Sequence, residues 1–352
     1  MDLSQHLLSI VVFSPLVGAL AVMALPRGNR KAQLWVGLFA SLVPLVASIA
    51  IALQFSPTEG LDNVFRFRRL WIPGLNVFYD LGIDSLSLPL VLLTAITTPL
   101  CLAYSWHIED RTKEYVSLFL LLEVGMMGTF IALDFFLFYV FWEISLVPMY
   151  FIIGVWGGPR REYAAIKFFL YTLVGSVAML LAIIYLYTQT GTFSFIEMSA
   201  RNPMPHAGMA RFLVFWAFFL GFAIKVPSFP FHTWLPDAHV EAPTAGSVVL
   251  AGVLLKMGAY GFLRVVLPIL PGAAQQYAMP LAILATISIV YGALCAMAQW
   301  DLKKLIAYSS VNHMGYVMLG IAALCVYMGR SDLTTEQIAS ARQNAVNGAM
   351  FQ

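Results

Sequence analysis

Runs of about 20 residues with almost no charge, the length an α-helix needs to cross a bilayer, recur along this chain. They fall at 7–25, 33–54, 86–106, 115–133, 135–156, 163–187, 211–226, 243–267, 277–298 and 302–328. Backbone in hydrocarbon must satisfy its own hydrogen bonds, so spans of this kind are read as helices. The sequence therefore predicts an all-α polytopic membrane protein with ten spans, and an eleventh helical pattern opens near Ala339 and runs to Gln352. Only 11% of the 352 residues are charged, against roughly 25% in a soluble domain.

That composition removes several classes of function. A net charge of +2 spread over the whole chain leaves no basic tract for nucleic acid. Cys101, Cys295 and Cys325 have neither CxxC nor Cys/His spacing, so they assemble no zinc site or iron–sulfur cluster. The opening MDLSQH lacks the basic region of a cleaved signal, and the run after it reads as the first span. Basic loops alternate: Arg27, Arg30 and Lys31; Arg111 and Lys113; Arg160 and Arg161; Lys303 and Lys304. Excess positive charge marks the inner side, which puts the N-terminus outside. Arg66, Arg68 and Arg69, with Asp62, Asp80, Trp71, Phe78 and Tyr79, read as a structured outer hairpin.

Ionisable side chains inside spans cost several kcal/mol and are normally kept for ion pathways or for pairing within the bundle. At 1.5 Å per residue, Glu143, Lys225, Lys256 and His313 each lie roughly 15–20 Å from the start of their helix, near the bilayer midplane. Glu123 is a fifth such residue, and Asp134 falls at a junction between spans. Static pairing explains each one singly; two lysines, a glutamate and a histidine at one depth favour a lateral proton relay, because simple salt bridges need fewer uncompensated charges. A carboxylate beside a desolvated lysine governs how tightly that lysine holds its proton, so Glu143 and Lys225 read as a switch pair. His313 can pass a proton in either direction, and Tyr260 stands one turn from Lys256, within reach of a hydrogen bond. In FAIKVPSFPFHTWLPDAH (222–239), Pro227, Pro230 and Pro236 break the helix just after Lys225. Broken helices of this kind mark ion sites in transporters. His232 and His239 follow on the broken stretch, either as relay members or as caps for backbone freed by the break.

The runs LGIDSLSLPLVLLT (81–94), FWEISLVPMYFIIGVWGG (141–158), KVPSFPFHTWLPDAHVEAPTAGSVVLAGVLLKMGAYGFLR (225–264) and DLKKLIAYSSVNHMGYVMLG (301–320) carry a family resemblance. They resemble the antiporter-like, proton-pumping membrane subunits of NADH:quinone oxidoreductase, respiratory complex I. The lysine at 256 places the likeness with the M branch, subunit 4 in mitochondria, rather than with the sister chains L and N. The resemblance implies a fold of about 14 helices, of which about 10–11 are present here, with a broken helix around 211–240. It implies N-terminal helices with the hairpin loop over 1–114, a first half-channel over 115–267 and an incomplete second half-channel over 268–352, as expected of a C-terminally shortened chain. It also implies that Glu143 and Lys225 form the switch, that Lys256 is the central lysine, that His313 leads onward, and that His232 and His239 lie in the connecting region. Cofactors are implied only on other subunits: NADH, FMN, iron–sulfur clusters and quinone. The implied partners are the membrane subunits L and N, and the setting is a bacterial or mitochondrial inner membrane. A multisubunit cation/proton antiporter or a membrane-bound hydrogenase is the alternative assembly.

Overall fold

Apolar runs with internal backbone bonding fold as expected: in the computed structural model the chain is helical almost throughout. The structure describes residues 3–56, 65–204 and 206–327, together with Gly348. Its elements are α1 (Leu3–Ala24), α2 (Arg30–Gln54), β1 (Arg66–Ile72), β2 (Val77–Gly82), α3 (Ser87–Tyr104), α4 (Thr112–Ile131), α5 (Phe135–Trp156) and α6 (Arg161–Thr190). There follow α7 (Phe195–Arg201), α8 (Met209–Lys225), α9 (Trp234–Glu241), α10 (Thr244–Ile269), α11 (Pro271–Gln276), α12 (Ala278–Met297) and α13 (Leu302–Tyr327). Among the described residues nine helices are long and apolar enough to cross a membrane. The tenth expected span, 211–226, is α8, which has 17 residues. The eleventh, from Ala339 onward, lies outside the described residues apart from Gly348.

Two units divide the chain, with α6 and α10 passing from one to the other. The first holds residues 1–169, 192–194 and 241–254. Its centre is α4, against which α1, α2, α3 and α5 pack. Small residues allow that closeness: a Cβ on Gly125 would stand 2.7 Å from the Ser145 amide nitrogen, and one on Gly37 would stand 2.2 Å from Val116. The expected hairpin is present as β1 paired antiparallel with β2, Arg66 opposite Gly82 and Leu70 opposite Phe78. Asp80, wholly buried, accepts from Arg66 Nε at 2.9 Å and from Arg66 Nη2 at 2.6 Å, and Arg68 adds a 3.6 Å ion pair. Asp134 caps α5 by accepting from the Phe136 amide at 2.8 Å and binds the hairpin through the Phe78 amide at 3.1 Å. Burial, only partly offset by those donors, pushes the Asp134 carboxyl up to about 6.

The second unit holds residues 170–191, 195–240 and 255–352. Here α12 and α13 form an antiparallel hairpin, close enough that a Cβ on Gly292 would meet Asn312 backbone at 2.8 Å. Arg211, buried near the start of α8, donates to the Gly272 carbonyl and to Gln276 Oε1 at 2.9 Å, fixing α8 to α11. The expected break lies between Lys225 and Trp234, and the Phe229–Pro230 peptide within it is cis.

Candidate functional site

The break after Lys225 frees backbone groups that a membrane interior cannot leave unmet. Neighbouring side chains take several of them. Trp234 Nε1 donates to the Ile224 carbonyl at 2.8 Å, and Ser288 Oγ accepts from the Phe229 amide at 2.9 Å. The Ser228 amide bonds the Ala223 carbonyl at 2.9 Å. The sequence offered histidines as the caps; the tryptophan and a serine 59 positions away do this work. Ser288 carried a signal only as one of two small hydroxyls, with Thr286, inside an apolar span.

With the backbone satisfied, the end of α8 holds Lys225 at 2% exposure. Opposite it runs α10, which departs from α-helical spacing at Leu250–Leu254 and again at Phe262–Val266, where the turns are π. Extra residues of this kind re-aim the side chains between them and occur frequently at functional sites. The seven residues between the two π turns include Lys256. Gly258 brings that segment onto α8: a Cβ there would lie 2.7 Å from the Phe222 carbonyl oxygen and 3.0 Å from the Val226 amide nitrogen. The stretches bearing Lys225 and Lys256 therefore touch through backbone, and only glycine permits it.

His239, buried in α9, lies within electrostatic reach of the Lys256 and Lys303 ammonium groups. Lys303 Nζ also donates to the Val240 carbonyl at 3.2 Å. His232 is buried with its ring against Phe229 and edge-on to Tyr291, 5.1 Å between centroids, and Tyr308 is close by. The second unit thus holds Lys225, His232 and His239 buried and Lys256 half-buried, with Lys256 within electrostatic reach of His239. Tyr260, read from the sequence as a partner for Lys256, accepts from Arg264 Nε at 3.0 Å, and the guanidinium also lies over its ring. Arg264 is a buried cation that the sequence reading passed over.

His313 is exposed on α13, where Asn312 and Gly315 are the residues turned to α12. In the first unit, Glu143 is half-buried on α5, and its Oε1 is inaccessible with no hydrogen-bond partner among the described residues. Glu123 on α4 is wholly buried, and neither of its carboxyl oxygens has a partner there. Among the described residues no three His, Cys, Asp or Glu side chains converge as a metal site would need. In the second unit the buried Lys225 ammonium and His232 imidazole lie at backbone opened by the break, and in the first unit Glu123 and Glu143 carry buried carboxyl oxygens with no partner among the described residues.

Comparison with known proteins follows the same lines. Residues 132–335, more than half the chain, match the family described as NADH:quinone oxidoreductase/Mrp antiporter, TM. NADH-quinone oxidoreductase subunit M of Rhodobacter capsulatus is 47% identical over 99% of this chain and 67% of its own length. F(420)H(2) dehydrogenase subunit M of Methanosarcina mazei is 40% identical over 98% of this chain and 67% of its own. The chain spans about two thirds of the length of the curated relatives it matches. A chain of respiratory complex I from Thermus thermophilus with bound NADH superposes with a TM-score of 0.78 at 31% identity, covering 98% of this chain and 71% of that one.

Proposed function

The chain belongs to the NADH:quinone oxidoreductase/Mrp antiporter membrane family, and from that premise we propose that it is a proton-translocating membrane subunit of an NADH:quinone oxidoreductase. The observation that carries this reading is the backbone contact at Gly258, which unites two buried lysine-bearing segments beside a broken helix. Lys225 and Lys256 hold protons where desolvation makes the charge costly, so modest changes in nearby charge move the proton between them. His239, within reach of Lys256, is the next acceptor, and His232 lies beside the break where water enters. Glu143 supplies the carboxylate of the relay, and His313 carries the proton onward from α13.

NADH, FMN, iron–sulfur clusters and quinone belong to partner subunits, and the neighbours in the membrane are the sister chains L and N. The protein sits in a bacterial or mitochondrial inner membrane. The 40% identity to the Methanosarcina mazei subunit supports a second reading, in which the same membrane device serves a complex with another electron donor.

Purification of the complex containing this chain separates these readings. Copurifying flavin and iron–sulfur proteins with NADH-dependent quinone reduction and proton uptake are expected. Electron transfer from a different donor moves the chain to the second reading, and sodium/proton exchange without electron transfer removes both. Within the assembled complex, Glu143→Gln should cut turnover about as deeply as loss of Lys225, with Glu143→Asp retaining part of it.

A further inference from the structure

Glu123 has no place in the relay described above, yet it is 0% exposed and both of its carboxyl oxygens lack partners among the described residues. The helix registers of the first unit show what surrounds it. Between the antiparallel α1 and α4, Lys113 Nζ donates to the Leu25 carbonyl at 2.8 Å and Ser117 Oγ to the Ala19 carbonyl at 3.4 Å, while Gly18 faces Leu120. Extending that register brings Glu123 level with Ser14. Gly37 on α2 faces Val116 on α4, and two turns further along both helices stand Pro44 and Glu123. Gly18 faces Ala40, so one turn on, Ser14 comes level with Pro44. Three separate pairings therefore converge on one level of the α1/α2/α4 seam.

That level is rich in oxygen. Ser14 Oγ is inaccessible and, like the carboxyl, without a partner among the described residues. Pro44 withholds the amide that would bind the Ala40 carbonyl, and Pro15 does the same for Val11. From α3, the Ser105–Tyr115 hydrogen bond brings Thr97 and Thr98 to the same level, with their hydroxyl protons given to the carbonyls of Leu93 and Thr94. Cationic groups on the helices packed here lie at helix ends: Arg30 and Lys31 on α2, Lys113 on α4, and His6 at the start of α1. Glu114 sits in the first turn of α4, and Glu143 of α5 lies beyond the Gly125–Ser145 contact. Among the described residues nothing beside Glu123 offsets a negative charge, and an isolated buried carboxylate is far costlier than the acid. Ser14, Gly18 and Ala40 also line an open apolar groove of about 770 Å³ between α1 and α2, so the seam adjoins the surface on that side.

We propose that this seam is a second proton-binding site, in which Glu123, level with Ser14 and the released carbonyls, carries a proton at rest and gives it up during turnover. The turnover step rests on the proton-pumping reading; the resting proton does not. Infrared difference spectroscopy on the whole complex in proteoliposomes, in light against heavy water at one pH, should contain a carboxylic acid C=O band that Glu123→Gln abolishes. Ser14→Ala, a change mild enough to keep the fold, should shift that band. Absence of any such band in the wild type, or its loss on adding sodium ion at fixed pH, overturns the proton assignment, the latter in favour of a sodium site. Protons pumped per electron should fall severalfold in Glu123→Gln and recover in part in Glu123→Asp; wild-type pumping by Glu123→Gln overturns the release during turnover. Should Glu143→Gln also pump normally, the relay reading is what has failed, and the band alone decides the resting proton at Glu123.

Discussion

Asp80 and Lys225 are both almost entirely withdrawn from solvent, one in the β-hairpin of the first unit and the other at the end of α8 in the second. Asp80 is gripped by both arms of one arginine and approached by a second, a fork geometry that fixes a carboxylate and leaves it little to do except hold the hairpin. Lys225 sits where the helix stops, and its neighbours Phe222 and Val226 meet a glycine that lets another lysine's helix come near. A buried carboxylate gripped in this way is architecture. Lys225, at broken backbone, is the one that the proposed relay asks to change protonation.

The sharpest way to break this contrast is to remove each charge. Lys225→Ala should lower proton pumping by ~10²-fold or more while the complex still assembles, read as reconstituted pumping beside subunit content. Asp80→Ala should do the reverse, costing about 2–3 kcal/mol of stability, below the range for fully buried pairs because Arg66 and Arg68 keep some solvent. Lost pumping in an otherwise stable Asp80→Ala complex would erase the distinction.

Next in size is Gly258→Ala. The added methyl meets backbone at 2.7 and 3.0 Å, so α8 and α10 must separate, at about 1–3 kcal/mol of overpacking. Pumping should drop more than thermal stability does; an equal loss of both would make Gly258 a packing residue only. Ser288→Ala then tests the break itself. It strands the Phe229 amide, and about 1–2 kcal/mol should be lost, seen as a lower unfolding temperature and faster amide exchange near the break.

Smallest at neutral pH, where it has nearly vanished, is the pH response of the hairpin layer. Asp134 has a folded-state pKa raised to about 6 from 3.8 by burial, so its acid form stabilises the fold fully below the unfolded value. That contribution is lost as pH rises from about 4 through 6, and it amounts to at most about 3 kcal/mol, since each tenfold gain in proton affinity is worth about 1.4 kcal/mol. Asp134→Asn should flatten the dependence of unfolding temperature on pH across that window, whereas an unchanged slope would show that another group sets it.

Much of this contrast is legible in the amino acids alone. Hydropathy marks every long helix, the prolines mark the break within a few residues, and the rarity of charge singles out Glu143, Lys225, Lys256 and Glu123. Trp234 and Ser288 as caps are not legible, because which donor meets a freed carbonyl depends on residues far along the chain. Nor are the π turns around Lys256, since one added residue per turn leaves an apolar pattern nearly unchanged. His313 illustrates the opposite limit: its depth along α13 can be counted, but its exposure depends on what packs against that face.

The sequence by itself determined that this chain is a bundle of membrane helices with a few ionisable groups at its interior, because transfer into lipid is summed residue by residue along a local segment. Tertiary structure decided which surroundings each of those groups has. That choice rests on distances between side chains remote in sequence: the arginine fork on Asp80, the glycine contact joining the Lys225 and Lys256 segments, and the three helix registers that leave Glu123 level with Ser14 and without a partner among the described residues.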